Sequence, residues 1–175
     1  MDSFFRSIGF NSKGHLYGDD VMHKETFDKL LESVKKHEGY RNKVYLDTLN
    51  KRTVGVGHLC VEDFWEDGKE YEESFLMDIL QKDLQGAIDG AEDLINNCPS
   101  GNKANISDDA KIIIIEMIFQ LGKTGVSKFR NMWKALQQDP PNYEEASIQM
   151  LDSRWAKQTP NRAKEMASHM AECVV

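Results

Sequence analysis

Two carboxylate side chains in the first third of the sequence have types and spacing that could do chemistry together. Glu38 directly precedes Gly39, and Asp47 lies nine residues further on, at the end of the segment Lys43-Val-Tyr-Leu-Asp47. Glycoside hydrolysis needs such a pair, because one carboxylic acid protonates the leaving oxygen while a second carboxylate acts at the anomeric carbon. Taken alone, a Glu and an Asp at this spacing are also typical of ordinary surface charges.

The elements that must hold these carboxylates are a helix and a hairpin. Apolar residues recur at helical spacing over residues 27–34, and Gly39 supplies a helix stop that leaves Glu38 at the C-terminal end. Segments 43–47 and 53–57 are short and rich in β-branched or aromatic residues, with a polar turn between them. They predict a β-hairpin that carries Asp47. The acidic segment (residues 61–74) either completes this small sheet or forms a loop.

The remainder of the sequence is mostly helical. A long amphipathic helix is predicted over residues 75–94, and a helix that is apolar nearly all round, and therefore buried, follows from Ser107 to Leu121. Gly122 and Gly125 then break the chain. Further helices are predicted over residues 128–138, 143–155 and 160–173, the last with Thr159 as its cap and Pro160 at its first position.

These elements predict an α+β fold that is mostly helical. Its parts are an N-terminal arm (residues 1–24) and a single domain (residues 25–175). A small N-terminal hairpin lobe, about residues 25–75, and a helical C-terminal lobe, about residues 95–175, are joined by the helix over residues 75–94, with a cleft between the lobes.

Composition excludes several classes of protein. The chain has 175 residues, 40% hydrophobic and 29% charged, which is ordinary for one globular domain. Its net charge of −7 argues against a nucleic-acid binder. No apolar run is long enough to span a membrane, and the N-terminus does not look like a signal peptide. Three cysteines form no disulfide framework, and no metal ligands recur at zinc spacing, so we expect no metal and no cofactor.

Several motifs occur together in a specific order. They are Glu38-Gly39, Tyr45-Leu46-Asp47-Thr48, Thr53-Val-Gly-Val-Gly-His58, Phe119-Gln-Leu-Gly-Lys-Thr-Gly-Val126, Ser153-Arg-Trp155 and Gln158-Thr-Pro-Asn-Arg-Ala-Lys164. With these motifs the chain resembles the phage-type lysozymes, glycoside hydrolase family 24, over about residues 30–171. Residues before about His23 lie outside the resemblance.

The resemblance implies a lysozyme-like fold and a muramidase activity. The substrate would be the β-1,4 bond between N-acetylmuramic acid and N-acetylglucosamine in peptidoglycan, cleaved with inversion. Glu38 falls on the general acid of the family, Asp47 on the carboxylate that orients or deprotonates water, and Thr53 on the hydroxyl that helps hold it. An inverting site needs its carboxyl groups about 6.5–9.5 Å apart. Such a protein would be made in the cytoplasm and act at the bacterial cell wall, as a monomer.

Further residues receive roles from the same resemblance. His58 and Asp83 match a structural salt bridge, and Arg162 matches an arginine that pairs with the catalytic glutamate. Leu59 falls at the lip of the cleft and Phe119 and Gln120 at its floor, although Phe119 is equally typical of plain core. Glu116 departs from expectation because it places a carboxylate on the apolar helix, four residues before Gln120.

Two other functions remain open at this point. A lytic transglycosylase would need the acid Glu38 but no water-activating Asp47, because a hydroxyl of the sugar itself attacks. A non-catalytic peptidoglycan-binding or structural module would need neither. The acidic segment and the N-terminal arm have no explanation in the resemblance, and either could serve a regulatory partner or attachment to a larger particle.

Overall fold

A computed structural model describes residues 24–47, 50–99, 101 and 103–174 of the chain. The predicted N-terminal arm lies outside these residues except for its last position, as does Thr48 of the hairpin motif. The chain forms two compact units whose boundary falls between Asp83 and Leu84.

The first unit begins with helix α1 (Lys24–Glu38). Phe27, Leu30 and Val34 are fully buried on one side of it, as the helical spacing of apolar residues predicts. Gly39 follows with a φ of +71°, a conformation that glycine adopts easily and that commonly ends a helix. The helix therefore stops where the sequence predicts, with Glu38 as its last residue.

A three-stranded antiparallel sheet follows, in the order β1 (Arg41–Leu46), β2 (Arg52–Gly55), β3 (His58–Leu59). The predicted hairpin is confirmed, and Tyr45 lies opposite Thr53 in its ladder. The third strand comes from His58 and Leu59, directly after the hairpin, and not from the acidic segment. That segment forms turns and touches the sheet ladder through one bridge, between Lys43 and Glu70.

Helix α2 (Glu73–Asn96) contains the boundary between the units, and helix α3 (Asp108–Ser127) is the buried helix that the sequence predicts. The Ser107 hydroxyl caps α3 by accepting a hydrogen bond from the Ala110 amide. Only Gly122 leaves the helical conformation (φ +70°, ψ 158°). The predicted break at Gly125 is wrong, because the helix resumes after the kink and continues to Ser127.

The second unit is completed by four shorter helices, α4 (Arg130–Leu136), α5 (Tyr143–Leu151), α6 (Arg154–Gln158) and α7 (Pro160–Glu172). The prediction of one helix over residues 143–155 is wrong. Ser153 separates α5 from α6 because its hydroxyl accepts from the Ala156 amide and donates to the Met150 carbonyl. Pro160 opens α7 as predicted, but the Thr159 hydroxyl does not cap that helix; it donates to the Trp155 carbonyl of α6.

The observed architecture confirms an α+β fold that is mostly helical with a small antiparallel sheet. The core of the second unit includes Trp133, Met132 and Met150, all without exposed surface. Cys60, Cys98 and Cys173 are free thiols. Among the described residues, no helix has the length and apolarity that crossing a membrane requires.

Candidate active site

The end of α1 places Glu38 against the turn between β2 and β3. Gly57 lies in this turn with a φ of +76°. A Cβ built on Gly57 would lie 3.2 Å from Glu38 Oε2 and 3.5 Å from its Cδ. The carboxylate therefore packs directly on the glycine backbone, and the half-buried Glu38 side chain is held beside the sheet.

Asp47 is held by the turn that joins β1 to β2. The Lys51 amide donates to Asp47 Oδ1 at 2.8 Å, while the Asp47 amide donates to the Lys51 carbonyl at 2.9 Å. Asn50 adopts a φ of +61° in the same turn. These bonds fix the position of the Asp47 carboxylate, since one of its oxygens is tied to the backbone.

Tyr45, on β1, lies within electrostatic range of both carboxylates. Burial raises the pKa of the Tyr45 hydroxyl, and the charges of Glu38 and Asp47 raise it further, against the opposing effect of the Arg41 guanidinium. That guanidinium lies 4.4 Å from the centre of the Tyr45 ring. Glu38 and Asp47 are therefore both near enough to Tyr45 for their charges to act on its hydroxyl.

Thr53 lies opposite Tyr45 in the ladder and is 3% exposed. Its hydroxyl donates to the Lys51 carbonyl at 3.2 Å. That bond uses the hydroxyl proton, so the oxygen keeps its capacity to accept a hydrogen bond.

His58 is bound at both ring nitrogens. Its Nδ1 lies 2.8 Å from Asp83 Oδ2, and its Nε2 lies 3.3 Å from Glu62 Oε2. The hydrogen bond to Asp83, above all, raises the pKa of His58, and Glu62 adds to this effect. The sequence analysis pairs His58 with Asp83 and misses Glu62. The only sequence signal for Glu62 is its position four residues after the histidine.

The acidic segment lies on the surface, and ion pairs link it to the sheet. Four of its carboxylates have basic partners in the first unit: Glu62 with His58, Glu66 with Lys69, Asp67 with Arg52 and Glu70 with Lys43. Trp65 lies at its centre, 3% exposed, and packs on Val54 and Leu76. The segment thus folds as a structural cap on the sheet around a buried indole.

The predicted binding residues occupy different surroundings. Leu59, on β3 in the first unit, is 41% exposed, and its place at the lip of a cleft stays a prediction. In the second unit, Phe119 and Gln120 are half-buried, and Gln120 Oε1 accepts from the Trp155 indole at 2.8 Å. Glu116 is buried on the same helix.

Trp155 lines a groove of about 570 Å³ in the second unit, a feature that the sequence analysis misses. Phe129 meets the Trp155 ring edge-on, with ring centres 6.1 Å apart. Basic side chains line the same groove: Lys128, Arg130 and Arg154. Trp155 itself is 4% exposed, so the exposed part of this lining is mainly basic.

Arg162 lies in the first turn of α7, where its Nε and Nη2 atoms are buried. Its pairing with Glu38 stays a prediction. No three side chains of metal-ligating type converge within the described ranges.

Comparison with known proteins bears on this arrangement. Residues 35–169 match the family model of phage lysozyme. The chain belongs to the phage lysozyme family. The match covers every residue to which the sequence analysis assigns a site role, from Glu38 to Arg162, whereas the N-terminal arm lies outside it.

Individual members of the phage lysozyme family and related proteins align over most of the chain. A probable T4-type lysozyme 2 of Dictyostelium discoideum is 26% identical over 159 residues, which cover 79% of this chain and 91% of that protein. The pre-baseplate central spike protein Gp5 of Enterobacteria phage T4 is 27% identical over 78% of this chain and 26% of its own. Peptidoglycan hydrolase gp36 of Pseudomonas phage phiKMV is 26% identical over 95% of this chain and 17% of its own.

Proposed function

We propose that the protein is a muramidase that hydrolyses the β-1,4 bond between N-acetylmuramic acid and N-acetylglucosamine in peptidoglycan. Membership of the phage lysozyme family supports this function, as does the similarity to a phage peptidoglycan hydrolase. The observation that carries the proposal is the match of residues 35–169 to phage lysozyme, within which Glu38, Asp47 and Thr53 all lie. Glycoside hydrolysis requires a pair of carboxylates, one acting as acid and one as base.

The proposed reaction assigns one step to each side chain. Glu38 gives its proton to the glycosidic oxygen as the bond to the anomeric carbon breaks. A water molecule, held by Asp47 and by the Thr53 oxygen, attacks that carbon from the opposite face, and Asp47 accepts its proton. The configuration inverts, and the sugar leaves with a new reducing end.

The groove of the second unit extends the proposal to substrate binding. Phe129 offers a half-buried apolar ring, while Lys128, Arg130 and Arg154 offer exposed positive charge. Peptidoglycan presents both sugar faces and peptide carboxylates, so this lining suits part of the wall polymer. The site of action would then be the bacterial cell wall.

The test is an assay of reducing ends released from purified peptidoglycan. We expect Glu38→Gln and Asp47→Asn each to lower kcat by about 10²–10⁴-fold, which is the usual contribution of a general acid or base. Glu32→Gln, an exposed carboxylate on the same helix α1, serves as the matched control and should keep full activity. A Glu38→Gln variant that releases reducing ends at the wild-type rate contradicts the proposal. Anhydro-muramyl ends in the products indicate a transglycosylase instead.

A further inference from the structure

The His58 ring links two elements through two carboxylates. Asp83 reaches it from α2 and Glu62 from the acidic segment. Arg52, on β2, donates hydrogen bonds to the Trp65 carbonyl and to Asp67 Oδ1. Glu38, at the end of α1, contacts Gly57, the residue before His58. The ring is thus the point at which the acidic segment is joined to the turn between β2 and β3.

Trp65 fixes the position of Glu62. Its indole nitrogen donates to Glu62 Oε2 at 2.6 Å, and this bond, above all, lowers the pKa of Glu62. The indole is buried, with its ring centre 5.5 Å from that of His58. Tyr71 meets the same indole edge-on at 4.9 Å. The Glu62 carboxylate therefore has a fixed place from which to hold the histidine.

The turn that His58 follows is the turn on which Glu38 rests. Gly57 precedes His58 in the chain and approaches the Glu38 carboxylate closely enough that even a methyl group would lie 3.2 Å from Oε2. A shift of this turn would move the surface that supports Glu38. We propose that Glu62 and Trp65 are positioning residues for Glu38 and act through His58 and Gly57. The inference rests on the proposed function of Glu38 as general acid.

The protonation state of His58 decides whether the link is complete. Only the protonated imidazole donates from both nitrogens, while the neutral ring donates from one and accepts at the other. A neutral His58 can therefore satisfy Asp83 or Glu62, but not both carboxylates. The link should loosen as the pH rises through the pKa of His58.

The experiment compares two substitutions of Glu62 in the full chain, with soluble peptidoglycan strands as substrate. Glu62→Ala removes the link, and we expect kcat to fall about threefold to tenfold with KM unchanged, because small displacements of a reacting group are costly. Glu62→Gln should largely restore kcat, because its amide oxygen can take the place of Oε2 and accept from both Trp65 and the protonated His58. Its activity should keep the alkaline decline that follows His58 titration, since an accepting oxygen at this position still needs the protonated ring.

Matched controls separate positioning from general destabilisation. Asp63→Ala removes an exposed carboxylate from the same segment and should leave kcat and its pH profile unchanged. Trp65→Phe keeps most of the packing but removes the donor, so it should reproduce part of the Glu62→Ala loss. Unfolding midpoints are measured for all variants over a range of pH. The kcat values are then compared at a pH at which every variant is folded.

Two results would overturn the inference. One is an unchanged kcat in Glu62→Ala, and the other is a Glu62→Gln variant that stays as slow as Glu62→Ala. NMR titration of His58 reports the link without any substrate, and its pKa should fall in both Glu62 variants. A wild-type protein that releases no reducing ends would instead refute the proposed function, and the His58 titration would then stand as a separate result.

Discussion

Gly57 combines a left-handed backbone conformation with a close contact to the carboxylate of Glu38. Its positive φ makes any side chain strained there, and a Cβ would press on Glu38 Oε2 at 3.2 Å. We expect Gly57→Ala to lower stability by about 1–2 kcal/mol through its left-handed backbone. Because the new methyl group also displaces the carboxylate, kcat should fall at least about tenfold at a temperature where the variant is folded.

Gly68 provides the control for that substitution. It has a similar φ of +81°, but a Cβ built on it meets nothing within 4 Å. Gly68→Ala should therefore have a comparable effect on the unfolding midpoint and none on kcat. Equal losses of activity in the two variants would show that backbone strain, rather than contact with Glu38, is responsible.

The ion pair of His58 and Asp83 predicts how stability depends on pH. The pKa of His58 is raised in the folded state, so the stability gained from its charge is fully present below the unfolded pKa, about 6.5, and is lost as the pH rises through the folded pKa. Asp83→Asn should lower the free energy of unfolding by about 1–2 kcal/mol near pH 5.5, because the pair is only partly buried.

Denaturant unfolding at pH 5.5 and pH 9 measures this difference. The gap between wild type and Asp83→Asn should narrow at the higher pH. Asp78→Asn, an exposed carboxylate on the same helix α2, should show no such change. A gap that stays constant across this range would mean that the histidine charge does not stabilise the fold.

At the scale of secondary-structure elements, sequence patterns predict those features that depend on interactions between residues close in sequence. Helix α1 ends at Glu38 because Gly39 can adopt a positive φ, and the hairpin has its predicted turn. Strand β3 has only two residues, which is too short for any alternation to be read. It is a strand because two positive-φ glycines, Gly55 and Gly57, turn the chain back onto β2.

Contacts between residues distant in sequence explain the features that the sequence analysis missed. The Gln120–Trp155 bond spans 35 residues, and no periodicity indicates it. The ion pairs of the acidic segment depend on where Lys43 and Arg52 lie in the sheet. From the sequence alone, the same carboxylates suggest a free acidic surface, because partners outside the segment cannot be recognised by spacing.

Ser153 gives an element-scale prediction. Its hydroxyl caps α6 and bonds the end of α5, so it fixes the bend that brings Arg154 and Trp155 to the groove. Ser153→Ala should lower the free energy of unfolding by about 1 kcal/mol, the usual value of a helix cap. Ser168→Ala, an exposed position within α7, is the control for thermal unfolding and should have a smaller effect.

For the molecule as a whole, the net negative charge opposes binding of the proposed anionic substrate. The net charge is −7, and residues 61–94 contribute twelve acids but only two lysines. Since several acids of this region are already paired within the fold, their main remaining effect is long-range repulsion of an anionic wall. The basic groove acts mainly at short range, because at a distance its three cations are outweighed by the net negative charge of the whole molecule.

This balance predicts an activity maximum at intermediate ionic strength. At 0.01 M salt the screening length is about 30 Å, so the net charge of the whole molecule repels the substrate. At 0.15 M salt the screening length is about 8 Å, so this repulsion is screened while the groove still attracts the substrate at short range. The initial rate of peptidoglycan clearing should therefore rise at least about twofold between these conditions and fall again towards 1 M. Removing two exposed charges with Asp63→Asn and Glu72→Gln should move the maximum to lower salt. A rate that falls steadily from the lowest salt concentration would mean that local attraction by the groove outweighs the net charge throughout.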